Sequence, residues 1–212
     1  MKLSFSKFLW VLCALMVPFM ANAVEQKNIS QDNPTLLVTE LSDFVVKTLN
    51  DHRSQFEQDN QQVVDFAYAN VLPYVDTDRM ARYALGKNWR SATEQQQKAF
   101  TKAFTENLIR SYSQSFLNLK IESVTVSPAV IEKPGRASVS STVVQQEGKP
   151  AEVLYRVYQD KQSKKWFLYD VVIENVSMLL SYRSVYSNAV ATQGLDAVIK
   201  ELQDKNQQVL AN

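Results

Sequence analysis

The sequence predicts an α+β fold: a curved antiparallel β-sheet of about four strands, wrapped by helices from both ends of the chain. Three observations predict it. Helix-period apolar patterns occupy residues 34–116, strand-period patterns occupy 121–173, and two more helical patterns follow from Ser177 onward. Helices, then strands in series, then helices again is an α+β order rather than the alternation that builds a parallel sheet.

The first helix starts at Asn33-Pro34, an N-cap followed by proline at the first helical position. Its apolar stripe is Leu37, Leu41, Phe44, Val45, Thr48 and Leu49. A second, from Asn60, uses Val63, Val64, Ala67 and Val71 and stops at Pro73. Asp76 or Asp78 caps a third, which Gly86 closes with positive φ. The fourth opens on two overlapping capping boxes, Ser91 to Glu94 and Thr93 to Gln96. Phe100, Phe104, Leu108, Tyr112 and Phe116 then recur every four residues. Four residues advance about 400°, so this ridge drifts roughly 40° per step and its ends face different neighbours.

Ile121 to Val130 contains Pro128, which confines it to a sheet edge or a bulge. Glu132 to Gly135 and Glu147 to Pro150 read as turns. Between them, Arg136 to Gln146 alternates Ala137, Val139 and Val143 against Ser138, Ser140 and Thr142. Ala151 to Gln159 and Lys165 to Ile173 are apolar or aromatic on nearly both faces, as strands covered on both sides are. Helices from Ser177 to Val190 and from Gly194 to Lys205 close the pattern, the latter through Leu195, Val198, Ile199 and Leu202. The expected architecture is a curved sheet wrapped by helices, like the cone of nuclear transport factor 2.

The first residues read as a secretory leader. Lys2 and Lys7 precede an apolar run from Phe8 to Met20, and Ala21-Asn-Ala23 supplies an A-x-A cleavage site. That run is shorter than the ~20 residues of a membrane span. Cleavage after Ala23 leaves one domain over 24–212, with Val24 to Asp32 as a polar, flexible lead-in. The only cysteine, Cys13, leaves with the leader, so the core and not disulfides must hold the mature chain together. Without Lys2 and Lys7 the 23 basic residues fall to 21 against 22 acidic, for a net charge of −1. No basic cluster points to nucleic acid.

Little here supports catalysis. His52 is the only histidine, and it sits at the edge of the first helix's stripe. No metal-ligand spacing and no glycine-rich phosphate loop occurs among only four glycines. Asp170 is the carboxylate of interest, because its strand parity with Trp166, Leu168 and Val172 aims it into an apolar face. Such a group could act as a base of raised pKa, with Tyr155 or Tyr169 as proton donor. It could equally pair with Arg79, Arg82 or Arg183, or bond a helix N-terminus. Phe104, Leu108, Tyr112, Val153, Tyr155, Val157, Phe167, Tyr169 and Val171 satisfy an ordinary core. They also satisfy a cavity, since Ala137, Val139 and Ser141 form a wall of small side chains.

Two stretches carry a family resemblance: Asp78-Arg-Met-Ala-Arg-Tyr-Ala-Leu-Gly-Lys-Asn-Trp-Arg90 and Asp170-Val-Val-Ile-Glu-Asn-Val-Ser-Met-Leu-Leu-Ser-Tyr-Arg183. Both resemble signatures of the MlaC or Ttg2D (toluene-tolerance) family, and the ordered set of helices, meander and Tyr-Arg helix spans roughly residues 36–203. Asn175 stands where that family has glycine, and Tyr186 where it has phenylalanine. The resemblance implies a periplasmic, non-enzymatic carrier of two-chain phospholipid. Such a carrier works between an outer-membrane lipoprotein and porin complex and an inner-membrane ABC transporter, keeping phospholipid out of the outer leaflet. It implies a monomer without cofactor or metal. Exposing two chains of roughly 14 methylenes each costs on the order of 20 kcal/mol at ~0.8 kcal/mol per methylene, so transfer through water needs an apolar slot. Under this reading the fourth helix and the sheet enclose the tails through Phe104, Leu108, Tyr112, Val139, Val153, Tyr155, Phe167, Tyr169 and Val171. Met178, Leu179 and Tyr182 lie near the mouth, Leu85 and Trp89 line or gate it, and Lys87, Arg90 and Arg183 either meet the phosphate or are solvated surface charge. The rival readings are a cone-shaped isomerase or hydrolase using Asp170, and an adaptor that binds only protein.

Overall fold

The computed structural model describes residues 27–208, apart from the side chains of Gln114, Phe116 and Gln208. The expected leader and its cleavage site lie outside the described residues. Five α-helices precede the fourth expected one. They are α1 (Pro34–Asp51), α2 (Arg53–Gln58), α3 (Asn60–Asn70), α4 (Thr77–Leu85) and α5 (Asn88–Ser91), and α6 (Glu94–Asn118) follows. The sheet comprises β1 (Ile121–Val126), β2 (Val130–Lys133), β3 (Arg136–Gln145), β4 (Ala151–Gln159), β5 (Trp166–Ile173) and β6 (Val176–Ser177). Helices α7 (Met178–Gln193) and α8 (Leu195–Gln208) complete it. Among the described residues no helix is long and apolar enough to cross a membrane.

Local chemistry explains the boundaries. Asn33 Oδ1 accepts from the backbone N–H groups of Thr35 and Leu36, capping α1. Asp76 does the same for α4 through Arg79, so Asp76 rather than Asp78 is the cap. Of the two capping boxes before α6, the Thr93–Gln96 box forms in both directions, at 3.0 and 3.2 Å. Gly86 ends α4 at φ +55°, which a Cβ would strain. His52 sits between α1 and α2, half-buried beside Phe56 with Nδ1 3.3 Å from the Thr48 carbonyl.

The sheet is open and antiparallel in the order β1-β3-β4-β5-β6, with β2 also paired to β3. It has six strands rather than about four because two short pieces count separately. Strands β1 and β2 share the same edge of β3 and are interrupted at 127–129, where Pro128 lacks the N–H a continuous ladder needs. Strand β6 is two residues long and pairs back on β5 through a turn at Glu174 and Asn175, both at positive φ (+47° and +64°). Asparagine thus fills the position of the family's glycine because it tolerates that conformation.

Register divides the sheet into two faces. Ala137, Val139, Ser141, Val143, Val153, Tyr155, Val157, Leu168 and Val171 share one, beneath α1. Arg136, Ser138, Ser140, Leu154, Arg156, Tyr158 and Phe167 share the other, and α4 and α7 cover its β5 end. The outer edge of β5 is closed by three segments. Gln31 exchanges hydrogen bonds with Trp166, Asp76 N–H donates to the Leu168 carbonyl, and β6 pairs beyond. Residues 27–32 are therefore docked, not a flexible lead-in: Ile29 is buried and its N–H donates to the Tyr74 hydroxyl.

A second apolar layer joins α4, α6, α7 and α8. Phe100 and Phe104 of α6 are fully buried and meet Tyr182 and Tyr186 of α7 edge-on, with centroids 5.2–5.9 Å apart. Phe100, Phe104, Leu108 and Tyr112 of the ridge all face this layer, while Leu117, outside the ridge, joins Leu49, Phe56, Val63 and Phe66 of α1–α3.

Burial pushes the phenols of Tyr182, Tyr186 and Tyr158 up, Tyr186 and Tyr158 to about 12. An unfolded tyrosine ionises near ~10, so the folded state holds these protons more tightly. Their contribution is complete below pH ~10 and is lost as pH rises toward 12. Alkaline titration should show these three ionising only with unfolding, as a cooperative step at 295 nm coincident with loss of near-ultraviolet dichroism. Smooth ionisation of all tyrosines before any unfolding would refute this packing.

Candidate functional site

A bulge in β5 builds the site. Val157 pairs with Leu168 and Arg156 with Asp170, so Tyr169 is an extra residue without an opposite partner. Counting by twos through a bulge gives the wrong face. Asp170 therefore does not share a face with Trp166 and Leu168, as the sequence predicts, but lies opposite Arg156 on the face that α7 covers. Its side chain is 1% exposed. Oδ2 accepts from Arg156 Nη1 at 2.8 Å and from Ser177 Oγ at 2.7 Å, and Oδ1 accepts from the Leu179 backbone N–H at 3.1 Å. Ser177 Oγ in turn accepts from Leu180 N–H, capping α7. The partner is Arg156, not Arg79, Arg82 or Arg183, because the bulge turns Asp170 toward β4 and α7.

A cleft of about 350 Å³ opens beside this pair. Arg136, Arg156, Tyr169 and Asp170 come from the sheet, Glu132 from β2, Tyr83 from α4, and Ser177, Leu179, Leu180 and Arg183 from β6 and α7. Arg136 Nη2 donates to the Tyr83 hydroxyl at 3.2 Å, and its guanidinium lies 5.7 Å from the Tyr169 ring centroid. The Arg136 bond holds the Tyr83 phenol below its usual range, while burial pushes Tyr169 up. A second cleft, also about 350 Å³, lies across Tyr158 between Val75, Asp76, Thr77, Asp78, Asp160, Ser163 and Phe167. Its floor is Tyr158, whose hydroxyl donates to Asp76 and whose ring lies 3.5 Å beneath the Arg79 guanidinium.

The residues expected to line a tail slot divide between the two layers. Leu85, Phe104, Leu108, Tyr169 and Leu179 are buried together in the helical layer, with Trp89, Tyr112 and Tyr182 packed against them. Tyr182 and Tyr112 are joined at 3.3 Å through their hydroxyls. Val139, Val153, Tyr155 and Val171 lie on the opposite sheet face, under α1. Phe167 stacks on Tyr158 at the second cleft, and Met178 is half-buried at the start of α7. Of the three expected cations Arg183 lines the first cleft, whereas Lys87 and Arg90 are exposed and are not among its lining. Arg136, Arg156 and Tyr83 are missing from the expected set. Equal parity of Arg136 and Arg156 on neighbouring strands was the signal that could have found the first two.

An acid–base pair of Asp170 with Tyr155 has no support here, since the two side chains occupy opposite sheet faces. Both Asp170 oxygens are also engaged, and among the described residues no cluster of three or more metal-ligating side chains forms.

Comparison with known proteins decides the family. The family model for the MlaC protein matches residues 39–204. The chain belongs to the MlaC family. It is 22% identical over 204 residues to the intermembrane phospholipid transport system binding protein MlaC of Haemophilus influenzae, covering 95% of this chain and 94% of that one. It is 23% identical over 149 residues to the toluene tolerance protein ttg2D of Pseudomonas putida, covering 70% and 68%. Its fold matches a phospholipid-binding protein from Ralstonia solanacearum, solved in complex with a phospholipid, at a TM-score of 0.74. That match has 23% identity and covers 84% of this chain and 99% of the other. The open, helix-flanked sheet is thus the MlaC fold, and both stretches that carry the family resemblance lie within the matched span.

Truncating the buried carboxylate should cost more than truncating the cap it supports. Asp170→Ala is expected to lose about 3 kcal/mol, because it strands Arg156 and frees the first turn of α7, and Ser177→Ala about 1 kcal/mol as a lost cap. Urea unfolding of the two variants checks the order; a smaller loss for Asp170→Ala would remove Asp170 from its structural role.

Proposed function

We propose that this MlaC-family chain is a periplasmic phospholipid carrier without catalytic turnover, exported by a leader removed after Ala23. It moves two-chain phospholipid between an outer-membrane lipoprotein and porin complex and an inner-membrane ABC transporter. The observation that carries the reading is the match of the fold to 99% of a chain solved with phospholipid bound. Agreement over 95% of the chain with a phospholipid transport binding protein supports it.

Each described cleft, at about 350 Å³, is at the small end of the ~300–1,000 Å³ typical of ligand sites. Such a space suits a headgroup better than two acyl chains. The tails therefore need the aromatic layer of α6 and α7 to part from its neighbours, with Phe104, Leu108, Tyr112, Leu179 and Tyr182 becoming their walls. Hydrocarbon then replaces side-chain contacts with contacts of the same kind, so opening is compensated by occupancy. Val139, Val153, Tyr155 and Val171, on the other face of the sheet under α1, supply a separate apolar wall for a tail that reaches that side.

Organic extraction of the protein purified from its native compartment, followed by mass spectrometry, should yield intact diacyl glycerophospholipid. Leu108→Trp and Val153→Trp, checked for folding by circular dichroism, should each retain several-fold less lipid. Accumulation of free fatty acid or lysophospholipid during incubation would contradict the non-catalytic part. A preparation that never carries lipid, and never takes it from vesicles, would sink the whole reading.

A further inference from the structure

The first cleft holds more hydrogen-bond donors than its own residues use. A guanidinium carries five N–H donors, so Arg136, Arg156 and Arg183 bring fifteen. Arg136 spends one on Tyr83 and Arg156 one on Asp170. Arg183 forms no hydrogen bond or ion pair among the described residues. The two carboxylates of the lining do not absorb the surplus. Asp170 is already filled by Arg156, Ser177 and Leu179, and Glu132 lies exposed on the rim without an ion pair among the described residues. Three cations against two carboxylates leave the lining one positive charge in excess.

Arg183 lies against the end of α4: a Cβ built on Gly86 would come within 2.8 Å of its Nε, so glycine there leaves the guanidinium room. Arg136 is positioned by the Tyr83 hydroxyl and the Tyr169 ring. Guanidinium groups with free, planar donor edges match the oxyanions of phosphate better than lysines would. The lip beside them is apolar: Leu180 is 59% exposed on the cleft and Val176 is 60% exposed just before it. Cations next to exposed aliphatic side chains fit a phosphate that continues into hydrocarbon.

We infer that this cleft is a phosphate subsite, in which Arg136 and Arg183 bind the phosphodiester oxygens of the carried lipid. The inference rests on the carrier reading and, beyond Arg183, which the family resemblance implies, adds Arg136 and the cleft that holds both. Arg156 is a positioning residue here, because its charge is committed to Asp170.

The test compares wild type with the Arg136→Gln/Arg183→Gln variant, each offered phosphatidylglycerol or diacylglycerol of the same acyl chains in vesicles. The expected result is a fall of at least about tenfold in the preference for phosphatidylglycerol over diacylglycerol. The double Arg→Lys variant, which keeps the charge, should recover part of that preference. An unchanged preference in a folded Gln variant overturns the subsite. Inorganic phosphate is the second arm, read on the arginine Nε–H resonances of wild type. Shifts equal to those from phosphatidylglycerol assign the cleft to the free ion and overturn the lipid assignment; shifts only with lipid support it. If wild type takes up neither lipid the carrier reading fails by itself, and the lipid-phosphate assignment falls with it whatever inorganic phosphate does. Uptake of both lipids with equal preference by wild type and variant leaves the carrier standing and removes the subsite.

Discussion

One buried carboxylate joins the two layers of this protein. Asp170 lies on a strand, takes a guanidinium from the next strand, and accepts a backbone N–H and a hydroxyl from the start of α7. Removing an ionised carboxylate from water is expensive unless charge and hydrogen bonds compensate it. Here all three contributors are fixed by secondary structure, so the compensation exists only when β4, β5 and α7 stand in one arrangement. The pair therefore specifies geometry more than it adds stability. It sets where α7 begins, and with it where Leu179, Tyr182, Arg183 and Tyr186 project.

The bulge at Tyr169 makes that arrangement possible. Without an extra residue, Asp170 would face α1 beside Leu168 and Val157, in a cluster with no cation to meet it. With it, Tyr169 and Asp170 both turn to the α4–α7 side, and Tyr169 packs on Tyr83 and Tyr158 there. A single insertion thereby moves one aromatic ring and one charge across the sheet. It places them at the rim of the arginine-lined cleft.

Much of the fold was legible because its signals are local. Caps at Asn33 and in the Thr93–Gln96 box, the stop at Pro73 and the break at Pro128 all act within a few residues, and each appears where its chemistry requires. The four-residue ridge was equally legible as far as Tyr112, since Phe100, Phe104, Leu108 and Tyr112 all lie in the helical layer. What stayed hidden depends on pairing between distant segments. The docking of Ile29 under Tyr74 needs the 3-10 turn at Leu72–Tyr74 to arrive beside β5. The Asp170 partner depends on a register shift that no alternation pattern announces. For the same reason the expected cations were Lys87, Arg90 and Arg183, of which Arg183 lines the cleft, while Arg136 and Arg156 were missed, since they come together only once β3, β4 and β5 align.

The division of chemistry between the layers has a consequence for how a lipid could be held. The face under α1 is apolar throughout, aliphatic side chains with Tyr74, Tyr155 and Trp166 among them, whereas the face under α4 and α7 changes from aromatic packing to arginines within a few residues. Leu179 lines the arginine cleft and also belongs to the apolar cluster that holds Phe104, Tyr182 and Tyr186. Phe104 meets both tyrosines edge-on and the two tyrosines stack, contacts worth only about 0.5–1.5 kcal/mol per pair beyond area burial. Separating a few such pairs costs little beside the roughly 20 kcal/mol that two exposed tails would cost in water at ~0.8 kcal/mol per methylene. The Asp170 pair, by contrast, resists separation because a stranded carboxylate has no substitute partner in hydrocarbon. A lipid would therefore open the helical layer along its aromatic seam while the β4–β5–α7 junction held, keeping the arginine-lined cleft in place as the tails were admitted.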